Sequence, residues 1–270
     1  MDYNNKRKFA KRKQRERKVK ELLKFKRVEG IQEKKAKKEA EMKIFFILTC
    51  PKTKARLQAM KKTWIPKEDS SSFKIFYVYG NPDNFKEKIE GRNLTLPCLD
   101  SYHKLFLKTH GSFRFLSRTF PEADCIVKMD DDIYLDSFDA LLKNIDKLLD
   151  NNVNYFGNAF CVTHERSEEE RNVIMREWHF KRVASNLRIP YRGKFPYSFA
   201  CGETYGLDMK TSKFISSFTD QDILEDSGFT RPFEDMSVGL LAERMNNLKK
   251  GVLDANVHHP ATVEEILSSI

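Results

Sequence analysis

The chain has 270 residues, 40% of them hydrophobic and 21 of them phenylalanine, which is core material for a globular protein and excludes a disordered polymer. Its net charge of +10 is confined to one end: residues 1–41 hold 17 Lys and Arg against 7 Asp and Glu, while the other 229 residues hold 32 of each sign. The main body therefore has no general bias towards polyanions, and five cysteines without a CxxC pair argue against a zinc site or a disulfide framework.

Residues 5–41 are rich in Lys, Glu, Arg and Ala, with Val19, Leu22, Leu23 and Phe25 as the only apolar cluster. Helix is the favoured local state, but so few apolar positions cannot seat it on a core. Residues 1–41 are thus expected to form a basic arm, helical or disordered. Two uses stay open for it: a solvated extension, or a contact with an anionic membrane, nucleic acid or an acidic partner. No apolar stretch reaches signal-peptide or membrane-spanning length, so a cytoplasmic protein is expected.

The texture changes at Met42, where the main domain, 42–270, begins. Lys43–Leu48 is an apolar run of buried-strand length. Arg56–Trp64 reads as a helix, Phe73–Tyr79 as a second strand closed by Gly80-Asn81-Pro82, and Ser101–Phe115 as a helix. Cys125–Met129 is a third buried strand, and Phe138–Leu149 an amphipathic helix. Residues 161–195 read as a loop-rich insertion, Phe233–Asn247 as a helix and Val252–Val257 as a short strand. Strands alternating with helices predict an α/β fold whose central, mostly parallel sheet is flanked by helices.

Asp130-Asp131-Asp132 follows the third strand, and ligands of open α/β sheets gather at the carboxyl ends of strands. Three adjacent carboxylates repel one another unless a cation or solvent compensates, and oxygen donors suit Mn²⁺ or Mg²⁺, ions that also bind substrate phosphates. An exposed acidic turn is the plainer alternative. Spacing of i, i+2 lets Asp130 and Asp132 point the same way. Glu234-Asp235 opens a helix, where acids complement the helix dipole or, aimed into a cleft, serve as a general base. His258-His259 reads as a surface turn or as a source of one metal ligand.

Taken together, five segments resemble, in order, the beta-1,3-galactosyltransferase and Fringe family of inverting glycosyltransferases (family 31-like), from about Met42 to His259. They are Arg56–Trp64, Asp100–Thr109 (similar to a DSYxNLTLKT block), Lys128–Asp132 (KxDDD), Phe195–Gly202 with Tyr205 (YPxYxxGxGY), and Phe233–Gly239 (EDVxxG). Lys61, Phe195 and Glu203-Thr204 depart from those blocks, the last where small residues are common beside the sugar site. The basic arm stands where relatives, which are Golgi enzymes, have a membrane anchor.

The resemblance implies an A-type nucleotide-sugar transferase fold and a UDP-sugar donor carrying galactose, N-acetylglucosamine or glucose. It implies transfer to a hydroxyl of a glycan or glycoconjugate, forming a beta-1,3 linkage, with Mn²⁺ or Mg²⁺ as cofactor. It makes Asp235 the catalytic base and Asp132, with His258 or His259, the metal ligands. Asp130 would contact the nucleotide, with Asp131, Gly202 and Glu234 also on the nucleotide-sugar. Arg56, Asp100 and Lys108 line the nucleotide end or are structural, with Asp100 capping the next helix, and Trp64 belongs to the core. A metal-dependent nuclease or phosphotransferase is opposed by the neutral main domain, and a non-catalytic sugar-nucleotide-binding protein by the presence of both Asp132 and Asp235.

Overall fold

A computed structural model of the protein describes residues 42–101, 104–171, 193–228, 233–258 and 262–268. The arm, 1–41, and His259 lie outside them. The first half of the described chain runs β1 (Lys43–Leu48), α1 (Lys54–Lys62), β2 (Phe73–Gly80), β3 (Lys88–Glu90), β4 (Asn93–Leu96), α2 (Leu105–Thr119), β5 (Cys125–Asp130), β6 (Tyr134–Leu135) and α3 (Phe138–Asp150). It continues with β7 (Tyr155–Gly157), β8 (Phe160–Val162), β9 (Ser198–Ala200), β10 (Thr204–Asp208), α4 (Met209–Ser216) and α5 (Asp220–Asp226). Last come α6 (Glu234–Glu243), β11 (Lys250–Val252), β12 (Val257–His258) and α7 (Val263–Ser268).

Eight strands form one sheet in the order β11-β7-β10-β5-β1-β2-β4-β3. Only β10 and β3 run antiparallel to their neighbours, so the sheet is mostly parallel. The period of two along β1 explains why the sheet is covered twice. Ile44, Phe46 and Leu48 pack with Phe113 and Leu116 of α2, Ile215 of α4 and Leu241 of α6. Phe45 and Ile47 point the other way, to Leu57 and Met60 of α1, Leu141 and Ile145 of α3 and Ile266 of α7. A strand buried on both faces is largely apolar, as Ile44–Leu48 is, and the buried Lys43 at its start pairs with Asp146. Among the described residues no helix is long and apolar enough to cross a membrane.

The α/β architecture read from the sequence is the one observed, with the main elements displaced by a few residues. The expected 101–115 helix begins at Leu105, with Lys104 at its cap, and Asp100 faces elsewhere. The expected 233–247 helix ends at Glu243. The expected strand at 252–257 is two strands in different sheets, because β11 joins β7 and β12 joins β6. Within the expected 161–195 insertion, residues 172–192 lie outside the description; its flanks pair as the β8–β9 ribbon. Trp64 belongs to the core layer as expected, stacked on Phe138 with its indole N–H donating to the Ile133 carbonyl at 3.2 Å.

Candidate active site

The three aspartates stand at the end of β5, where apolar Val127 and Met129 give way to a turn. The structure divides their side chains differently from a simple i, i+2 alternation. Asp130 takes Lys128: Nζ lies 2.7 Å from its Oδ1, and its backbone N–H donates to the Glu203 carbonyl at 3.0 Å. Asp131 is buried and accepts the Thr53 hydroxyl proton. Asp131 and Asp132 share Arg56, whose Nη1 lies 4.0 Å from Asp131 Oδ1 and 3.4 Å from Asp132 Oδ2. Burial pushes the Asp130 carboxyl up to about 6 against the pull of Lys128, and burial also raises Asp131.

Of the residues expected at the nucleotide end, Arg56 reaches the acids and the other two pair with each other. Lys108, buried in α2, donates to the Thr49 carbonyl at 2.5 Å and to Asp100 Oδ1. Asp100 Oδ2 accepts the Gly80 N–H at 3.2 Å. One ion pair thus ties the ends of β1 and β2 to α2, which is the structural reading of Asp100 and Lys108, though without the helix cap. The chain crosses itself tightly here: a Cβ on Gly80 would stand 2.6 Å from the Cys98 carbonyl. The pair still borders the acids, since Tyr79, its phenol raised by burial, feels both Asp100 and Asp131.

The second acidic pair opens α6. Glu234 is buried, accepts the Tyr205 hydroxyl proton and lies 3.7 Å from Lys128 Nζ. Asp235 is half-buried, and its Oδ1 accepts the Met236 N–H at 2.8 Å. Gly202, in the β9–β10 turn, faces both: a Cβ there would lie 3.6 Å from Asp235 Oδ2 and 3.8 Å from Glu234 Oε2. Gly239 explains how close the helix sits, because a Cβ on it would come within 2.6 Å of Phe199 Cβ on β9. Burial raises the Asp235 carboxyl, Lys128 opposes the rise and the Glu203 charge adds to it. Glu234 is pushed up by burial to about 7.

Thr53 was not singled out from the sequence, and Lys128, Glu203 and Tyr205 entered only within motif blocks, with no role given. Lys128 carries a legible signal, a lysine inside an apolar strand, which must find buried anions. Thr53 carries none.

A divalent ion fits this site only in part. Among the described residues no group of three His, Cys, Asp or Glu is arranged to hold a metal. His258 is brought near the acidic turn by the β12–β6 pairing, opposite Tyr134, but stacks on that ring and places Nε2 2.9 Å from Asp136. Asp132 nonetheless offers hard oxygen donors at a strand end, and Mg²⁺-type ions commonly take one or two protein carboxylates and complete their shell from substrate phosphates and water. Asp132 fits an ion that arrives with a diphosphate; a cage of Asp132 and His258 is not formed.

Comparison with curated proteins returns no match. The model of one family, described as galactosyltransferase, matches residues 54–248, from the start of α1 to just before β11, a span that includes both acidic pairs and strands β2 to β10. That match covers most of the chain, so the A-type sheet and the ordered motifs have one explanation: the chain belongs to the galactosyltransferase family, and is a glycosyltransferase with a sugar donor and a glycan acceptor.

Proposed function

We propose that the protein is an inverting hexosyltransferase that moves galactose, N-acetylglucosamine or glucose from a UDP-sugar to a glycan hydroxyl, forming a beta-1,3 linkage. The observation that carries this reading is that Lys128 links two acidic groups, 2.7 Å from Asp130 at a strand end and 3.7 Å from Glu234 at a helix start, with Arg56 beside the first group and Gly202 beside the second. Asp235 takes the acceptor proton, and its raised pKa suits a base working near neutral pH. Glu234, saturated by Tyr205 and close to Lys128, holds the helix start instead. Arg56 and the Asp130–Asp132 turn bind and orient the nucleotide diphosphate. Mn²⁺ or Mg²⁺ bound through Asp132 would supply electrostatic stabilisation of the departing diphosphate. If Asp235 alone acts and no enzyme nucleophile intervenes, the acceptor oxygen attacks from the face opposite the departing diphosphate and inverts the anomeric centre.

The test is a donor screen: hydrolysis and transfer from UDP-, GDP- and CDP-sugars with Mn²⁺, Mg²⁺ and chelator. UDP-sugar turnover lost on chelation and a product of inverted anomeric configuration are expected. A preference for GDP-sugars, or full activity in chelator, would overturn the donor or the metal.

A further inference from the structure

The reaction as proposed leaves one buried group without a task. Lys128 lies inside β5 between Val127 and Met129 and is 0% exposed. An ammonium at such a position is costly to desolvate, and it is tolerated only where anions and carbonyl oxygens surround it. Those oxygens come from segments far apart in the chain. Nζ donates to the Gly202 carbonyl in the β9–β10 turn. It lies 2.7 Å from Asp130 Oδ1 at the end of its own strand and 3.7 Å from Glu234 Oε2 in the first turn of α6. The Tyr205 ring, whose hydroxyl donates to Glu234, has its centre 5.5 Å away. The nucleotide-side acid, the turn that faces the acids and the helix that carries the base therefore converge on one ammonium.

We propose that Lys128 is a positioning residue for sugar transfer, holding the start of α6 against the end of β5 and so setting both the place and the basicity of Asp235. The inference rests on Asp235 being the base. The titratable groups coupled electrostatically to Asp235 are Lys128 from β5, Cys161 from β8, Cys201 and Glu203 from the β9–β10 turn, Tyr155 and Tyr205 from β7 and β10, and Glu234 beside it. Lys128 is the cation in that set and favours the ionised carboxylate; the negative charge of Glu203 disfavours it, while the charge of Asp235 itself helps raise Glu234. A lysine that only stapled the fold would support stability without governing this balance.

The experiment titrates Asp235 in the full chain by carboxyl carbon NMR, alongside transfer kinetics. Lys128→Met should move the Asp235 midpoint up, and Glu203→Gln should move it down. Kinetically, Lys128→Met should lower kcat about 100-fold, the scale of a misplaced catalytic group, with a smaller change in donor KM. Because Lys128→Met leaves the half-buried Asp130 and the buried Glu234 without their cation and so destabilises the chain, the double variant Lys128→Met/Glu234→Gln is read against Glu234→Gln alone. A higher Asp235 midpoint in the double variant supports the proposal. Equal midpoints in that pair overturn it, whatever happens to stability. If the midpoints move as expected but the unaltered protein transfers from no UDP-sugar, the coupling stands and the donor reading falls.

Discussion

The two acidic pairs handle charge in opposite ways. At the strand end, Asp131 and Asp132 are met by Arg56, a cation whose side chain is 33% exposed, and by the Thr53 hydroxyl. At the helix start, Glu234 and Asp235 face Lys128, which is fully buried. A half-exposed guanidinium on a long stem is partly screened and can be exchanged for another cation or share a diphosphate. A buried ammonium is not exchanged, and its field acts at full strength on its neighbours. On the function proposed above, the first arrangement would receive charge from outside, and the second would tune a proton acceptor.

That contrast can be broken from either side. The largest effect is expected at the closed pair: Asp235→Asn should cut transfer by about 10²–10⁴-fold, the usual contribution of a general base. UDP affinity by calorimetry should stay near its original value, and a matching loss of UDP binding would make Asp235 a ligand residue. At the open pair, Asp132→Asn should weaken Mn²⁺ activation about 10–100-fold while leaving thermal unfolding in place. An unchanged Mn²⁺ titration would remove Asp132 from the metal site.

Smaller effects sharpen the comparison. Gly239→Ala puts a methyl against Phe199 and lifts α6; it should cost about 1–3 kcal/mol in denaturant unfolding and lower kcat with it. Unaltered stability would mean the helix shifts freely over β9. Glu203→Gln removes an anion that raises the Asp235 carboxyl. Its base should therefore ionise at lower pH, and the acidic limb of the rate profile should move to lower pH. A shift the other way would place Glu203 in contact with substrate instead. Least of all, deleting residues 1–41 should leave turnover on a small acceptor unchanged while weakening salt-sensitive capture on anionic vesicles or RNA.

The sheet was legible where burial is continuous. Apart from Lys43 and Lys128, Lys43–Leu48 and Cys125–Met129 are apolar because both faces are covered, and helices such as Phe138–Asp150 show their periodicity plainly. Short edge strands were not: Lys88–Glu90 and Lys250–Val252 are polar or half-exposed and owe their pairing to neighbours. The site was legible as motifs but not as partnerships. Nothing in local sequence says that Asp131 turns to Thr53, that Asp100 serves Gly80 and Lys108, or that His258 faces Asp136, because each pairing depends on how distant segments cross.

The antiparallel strand β10 has a consequence for how the molecule is made. It lies between β5 and β7, pairing Tyr205 with Lys128 and Gly206 with Phe156. Strands β1, β2 and β5 can associate as soon as they leave the ribosome, but β7 has no neighbour in the sheet until β10 and β11 are synthesised. Until then β5 presents an open hydrogen-bonding edge, a template for pairing with another chain. Lys128 must meanwhile stay hydrated, since Gly202 and Glu234 have yet to arrive. Assembly of the catalytic half is thus a late, long-range closure, the slow kind of folding event. Chains stopped before residue 204 should be the aggregation-prone products of interrupted translation, visible as insoluble truncations.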